Sequence, residues 1–209
     1  MRRWVLMLLL LAPLCRAEAL PFDYYTLAVT LTPAFCDLNP DKRNSVQCRQ
    51  RPALSVHGLW PEKMEGKAPA FCRGEPVGRL PESEARELRR LMPDAGLQKY
   101  QWEKHGRCSG LPAADYFRTL VREFGDIRWP AALDVRGRDA VMEREALLRE
   151  LRRLNPALPA RGIVLRCNGR ERPPLLTEIR ICLSPAGKPA DCVANFRPNC
   201  PTALRIRAR

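Results

Sequence analysis

Eight cysteines spread from Cys36 to Cys200, downstream of an N-terminal stretch with the pattern of an export signal, constrain the fold more than anything else in this chain. Arg2 and Arg3 precede an apolar run from Trp4 to Leu14, and Ala17-Glu18-Ala19 follows as a small-x-small cleavage pattern. Residues 1–19 therefore read as a secretory signal peptide. The apolar run is short of the ~20 residues that a bilayer-spanning helix needs, and no later stretch reaches that length. A lipid anchor at the ninth cysteine, Cys15, is disfavoured because Leu14 stands where a small residue is required. Removing the leader leaves residues 20–209 with an even number of cysteines in a chain bound for an oxidising compartment, so four disulfides are predicted. Zinc is the competing use of cysteine. No Cys-x-x-Cys pair occurs, however, and neither histidine stands at ligand spacing from a second one. Eight cysteines can pair in 105 ways, so spacing alone leaves the connectivity open.

No repeat or low-complexity linker divides the chain, and its 20 prolines are scattered as punctuation. A single domain is predicted. Tyr24–Leu31 is β-branched and aromatic enough for a buried strand ended by Pro33, and Ala53–Leu59, carrying His57, is a second strand candidate. Helices are predicted over Glu82–Met92, Ala113–Phe124 with Gly125 as its stop, and Met142–Leu154, each with an apolar stripe at helical spacing. Strands return at Ile163–Cys167 and Thr177–Leu183, where Ile179, Ile181 and Leu183 alternate with Glu178, Arg180 and Cys182. Strands at both ends with helices between them predict an α+β fold: a central, mainly antiparallel sheet, flanking helices and disulfide staples.

The chain carries only two histidines, His57 and His105. Each is followed by glycine, which admits a close approach, and each has a tryptophan three residues away, Trp60 and Trp102. Two imidazoles in one cleft suit a general acid and a general base. Lys104 beside His105 can stabilise charge growing on a reacting group. The formal charge is +13. The leader holds three Arg and one Glu, so its removal lowers this to +11 and the domain itself remains basic. A polyanion such as nucleic acid is the expected partner, and RNA needs no metal when its 2′-hydroxyl is the nucleophile. From the residues alone the conclusion stops at an acid–base pair.

The segments His57-Gly58-Leu59-Trp60-Pro61 and Trp102-Glu103-Lys104-His105-Gly106-Arg107-Cys108 resemble the two active-site segments of the T-two ribonucleases. These are secreted or vacuolar endoribonucleases with little base specificity. The likeness extends to Phe22-Asp23-Tyr24-Tyr25, Pro33-Ala34-Phe35-Cys36, Leu91-Met92-Pro93-Asp94, Arg166-Cys167-Asn168-Gly169 and Glu178-Ile179-Arg180-Ile181-Cys182, which is nearly the whole of residues 20–209.

The resemblance implies cleavage of single-stranded RNA to 2′,3′-cyclic phosphates and then 3′-phosphates, with no cofactor or metal. His105 would be the base and His57 the acid of the first step, and Lys104 would stabilise the phosphorane. Tyr100 and Gln101 stand where the family commonly has His and Glu, for phosphate binding and transition-state stabilisation. Gln101 keeps a hydrogen-bonding role and Glu103 is a further candidate for the missing carboxylate. Trp60, Glu62, Tyr100 and Trp102 are candidate substrate contacts, while Thr30 falls near the polar residue of the family's other base site. The implied disulfides are Cys36–Cys48, Cys72–Cys108, Cys167–Cys200 and Cys182–Cys192. An exported monomer, periplasmic or extracellular and without a membrane anchor, is expected. The alternatives are a basic protein that binds RNA without cutting it, or a disulfide-rich inhibitor or toxin, which leaves both histidine segments unexplained.

Overall fold

The strand that organises the protein is β1 (Tyr24–Leu31), which is buried along nearly its whole length because it lies between two antiparallel neighbours. The computed structural model describes residues 20–193 and 198–209, so the expected leader at 1–19 lies outside the described residues. On one side of β1 runs β2 (Leu54–Glu62), and on the other β5 (Leu175–Leu183). Beyond these, β4 (Ile163–Asn168) pairs antiparallel with β5, and β3 (Ala140–Glu143) with β6 (Ala203–Ile206). A single parallel pair, Leu175 with Arg205, joins β6 to β5. The sheet is thus mainly antiparallel, and the fold is α+β as the sequence predicted.

Period-two alternation gives the sheet two unlike faces. Tyr25, Leu27 and Val29 align with Leu183, Ile181 and Ile179 and enter the main core. Against them pack Leu88 and Leu91 of α3 (Glu82–Leu91), Tyr116, Phe117 and Leu120 of α5 (Ala113–Asp126), and Leu147 and Leu151 of α6 (Arg144–Leu154). Each fully buried leucine contributes about 1.5–3 kcal/mol through its removal from water. The opposite face is more polar, with Thr26, Ala28 and Thr30 opposite Trp60, Gly58 and Ser55 on one side and Cys182, Arg180 and Glu178 on the other, and a small apolar cluster of Tyr24, Val164, Cys182 and Cys192.

His57 reaches the polar face through a break in that alternation. Val29 aligns with Val56 and Ala28 with Gly58, so His57 is the extra residue of a β-bulge. Strict alternation would put it on the face of Leu59, in the apolar core. The bulge turns it out instead, as bulges beside functional sites commonly do.

The helices expected from apolar stripes are present with shifted ends. Met142 belongs to β3, where it pairs with Leu204, and α6 starts two residues later at Arg144, whose N–H is taken by the Thr202 carbonyl. Helix α5 runs through Gly125 to Asp126. Two short helices follow β1: α1 (Thr32–Leu38) and α2 (Val46–Gln50), the second capped by Ser45, whose hydroxyl accepts from the Cys48 N–H. Helix α4 (Ala95–Lys104) was not expected, because its apolar residues fall on no single stripe. Asp94 caps it, accepting from the Leu97 N–H at 3.0 Å. All four implied disulfides are formed. Among the described residues, no helix is long and apolar enough to cross a membrane.

Candidate active site

The C-terminal end of α4 meets the bulged part of β2, and both contacts there require glycine. A Cβ on Gly58 would lie 2.2 Å from Gln101 Oε1 and 2.3 Å from Trp60 Nε1. One on Gly106 would lie 2.3 Å from the Trp102 ring and 3.1 Å from that of Tyr116. The glycine after each histidine therefore admits the protein's own side chains. Tyr116 fixes the junction from below, its hydroxyl donating to the Leu59 carbonyl at 2.7 Å.

Trp60 stands between the two histidines. Its ring meets His57 edge-on at 5.0 Å and stacks on His105 at 5.4 Å, with the Arg180 guanidinium 5.0 Å over it. The indole Nε1 donates to Gln101 Oε1 at 2.7 Å. Trp60 is only 9% exposed, so its ring lies between the imidazoles with little face free for a base.

His57 Nδ1 lies 2.7 Å from Glu178 Oε2. Burial alone would raise the Glu178 pKa, but the His57 hydrogen bond and the nearby Arg180 charge outweigh it and hold the carboxyl below its usual range. An ionised carboxylate only accepts, so Nδ1 carries a hydrogen and Nε2 is left to face a substrate. Arg180 also forms an ion pair with Glu178. Neither role was anticipated. The only sequence signal was the alternation that puts Glu178 and Arg180 on the face opposite Ile179 and Ile181.

His105 ends α4, its N–H bonded to the Gln101 carbonyl at 2.9 Å. Burial, reinforced by the Lys104 cation and by His57, pulls its pKa down to about 4, so the imidazole is neutral at physiological pH. Its Nδ1 is buried without a hydrogen-bond partner among the described residues, which makes Nε2 the nitrogen open to proton exchange.

The remaining candidates separate. Tyr100 is exposed, lies under the Lys104 ammonium at 5.4 Å, and lines a cavity of about 820 Å³ together with His57, Glu178, Arg180, Thr30 and Arg166. Glu62, at the end of β2, shares a face with Trp60, and burial raises its pKa against the pull of Arg180. Three further candidates take other places. Trp102 is a core residue, 4% exposed, with its Nε1 bonded to the Glu75 carbonyl, and has no surface to offer a substrate. Gln101 is 1% exposed and positions Trp60 rather than reaching a phosphoryl oxygen. Glu103 is two residues further along the helix, roughly 200° around its axis, and its carboxylate lies 4.0 Å from the Lys99 ammonium. Among the described residues, no group of three or more His, Cys, Asp or Glu is placed to hold a metal ion.

One imidazole held neutral and one backed by a carboxylate stand on either side of a tryptophan, an arrangement chemically able to take and to give a proton. Residues 22–192 match the Ribonuclease T2 family. A ribonuclease of Aeromonas hydrophila is 34% identical over 200 residues, covering 89% of this chain and 86% of that one. A probable ribonuclease of Haemophilus influenzae is 29% identical over 151 residues, 66% of this chain and 52% of that one. The fold is also that of ribonuclease MC1 from bitter gourd seeds, with a TM-score of 0.67 and 23% identity over 88% of this chain and 99% of the other. The chain belongs to the Ribonuclease T2 family. It is an RNA-cleaving enzyme, an endoribonuclease.

Proposed function

We propose that the enzyme cleaves single-stranded RNA by metal-independent transphosphorylation, with His105 as base and His57 as acid. His105 Nε2 takes the 2′-hydroxyl proton as that oxygen bonds to the adjacent phosphorus. The bond from phosphorus to the 5′-oxygen breaks, and His57 Nε2 delivers a proton to the departing oxygen. The products are a 2′,3′-cyclic phosphate and a free 5′-hydroxyl. In the second step the roles reverse: His57 takes a proton from water, the water oxygen bonds to phosphorus, and His105 protonates the 2′-oxygen to leave a 3′-phosphate. Lys104 supplies positive charge to the phosphorane.

The observation that carries this reading is the unlike surroundings of the imidazoles: one held neutral by burial and a cation, the other hydrogen-bonded to a buried carboxylate. Groups so separated are those expected of an acid–base pair. The small free face of Trp60, with Glu62 on the same face of β2, supports weak base selectivity. Four disulfides and the leader pattern support export to the periplasm or the medium, with residues 20–209 working as one monomeric domain. Digestion of RNA in EDTA, with the products identified by mass, tests the chemistry. Cyclic phosphates and 5′-hydroxyls are expected, with no cut after a deoxyribose. Products bearing 5′-phosphates overturn it.

A further inference from the structure

We propose that Phe71 and Tyr100 form a stacking platform for a nucleobase outside the two nucleotides that flank the scissile phosphate. The occupant rests on the RNA-cleaving reading above. Phe71 and Tyr100 are large aromatics left exposed, at 62% and 45%. Their rings lie 6.3 Å apart at 74°, an edge-to-face corner. Tyr100 lines the cavity that holds His57, and its ring carries the Lys104 ammonium, so the corner is continuous with the reacting end of the site.

The chain holds Phe71 outward instead of burying it. Its backbone has φ of 53°, a left-handed conformation that is uncommon for a bulky residue. Two restraints maintain it: the Phe71 N–H donates to the Lys104 carbonyl at 2.9 Å, and the next residue is covalently tied through Cys72–Cys108. An exposed ring on a fixed backbone loses little freedom on binding. A nucleobase offers a π-face to such a ring whatever its sequence, and Lys104 lies near enough to meet a phosphate. The two nucleotides that flank the scissile phosphate are assigned to the cavity lined by Thr30, His57 and Tyr100. Phe71 packs against Tyr100 but does not itself line that cavity, so the base it would take belongs to a third nucleotide.

The test measures binding of a hexadeoxynucleotide, which has no 2′-hydroxyl and is not cut, and kcat/KM on a dinucleoside monophosphate. Phe71→Ala is expected to weaken hexamer binding at least about fivefold. Phe71→Trp restores it and Phe71→Leu does not, while dinucleotide turnover stays within about twofold in all three variants. The thermal midpoint of each variant shows that the fold is intact. Unchanged hexamer affinity in Phe71→Ala, full affinity in Phe71→Leu, no hexamer binding by the wild type, or dinucleotide turnover falling in step with binding overturns the proposal. A wild type that binds the hexamer but cuts no RNA overturns the cleavage chemistry instead, and the binding comparison still decides the platform.

Discussion

The imidazole of His57 and the carboxylate of Glu178, 121 residues apart in sequence, meet at 2.7 Å from Nδ1 to Oε2. Glu178 occupies the central region of the sheet on β5, whereas His57 projects from a bulge in β2, two strands away. The bond does for His57 what packing does for a core side chain: it selects one orientation and one tautomer. In the proposed mechanism Glu178 is a positioning residue, because it would act on the substrate only through the imidazole. Glu178→Gln keeps the size but lets the amide present either a donor or an acceptor to Nδ1. A fall in kcat of at least about tenfold is expected, with KM nearly unchanged, since only the proton transfer is affected. Steady-state kinetics on a dinucleoside monophosphate check this, and equal loss in kcat and gain in KM contradicts it.

The lowered pKa of His105 gives a pH dependence with a definite sign. The base is competent when neutral, so the acid limb of kcat/KM lies near pH 4 rather than near the ordinary imidazole value of 6.5. Lys104 is one cause of that lowering, after burial. Lys104→Met therefore moves the acid limb upward, toward neutral pH, and also reduces kcat by about 10² through lost charge stabilisation. The same shift has a stability consequence. The unfolded chain protonates this histidine near pH 6.5 and the native one only near 4, so its contribution is complete above 6.5 and is lost as pH falls toward 4. Denaturant melts at pH 7 and pH 4.5 check the direction.

Gly58→Ala tests the place of Trp60 between the imidazoles. The added methyl would sit 2.2 Å from Gln101 Oε1 and 2.3 Å from Trp60 Nε1, so the hydrogen bond between them must give way. Overpacking of this kind costs about 1–3 kcal/mol. Because Trp60 touches both imidazoles, kcat is expected to fall further than stability loss alone explains. Thermal melts paired with kinetics at a temperature where the variant is folded separate the two effects.

The Cys72–Cys108 bridge ties the loop after β2 to the turn after His105. Replacing both cysteines with alanine is expected to remove about 2–4 kcal/mol of stability. It also frees the segment that holds Phe71, so hexanucleotide affinity falls with it. A double variant of Cys182 and Cys192, whose bridge closes a ten-residue loop and does not tie the Phe71 segment, loses stability without that loss of affinity.

The sequence made the histidines conspicuous because there are only two and each precedes a glycine. It also marked the core helices, whose apolar stripes record burial on one face. It said little about α4, since that helix buries Gln101 and Trp102 at a crowded junction and leaves no stripe to read. The two tryptophans show the same limit. Each is three residues from a histidine, yet Trp60 on a strand lies between the imidazoles while Trp102 on a helix turns into the core. Spacing has a different meaning on the two backbones. Glu178 was out of reach for another reason: only the pairing of β5 with β1, and β1 with the bulged β2, brings it to His57.

The assignment of acid and base is tested most directly by changing the leaving group. His57→Ala and His105→Ala are each expected to cut a dinucleoside monophosphate about 10² to 10⁴ times more slowly than the wild type. A uridine 3′-aryl phosphate with a nitrophenolate leaving group needs no proton as it departs. On that substrate His57→Ala should recover nearly wild-type turnover, while His105→Ala stays impaired because the 2′-hydroxyl still has to lose its proton. Equal impairment of His57→Ala on both substrates, or recovery of His105→Ala instead, contradicts the assignment.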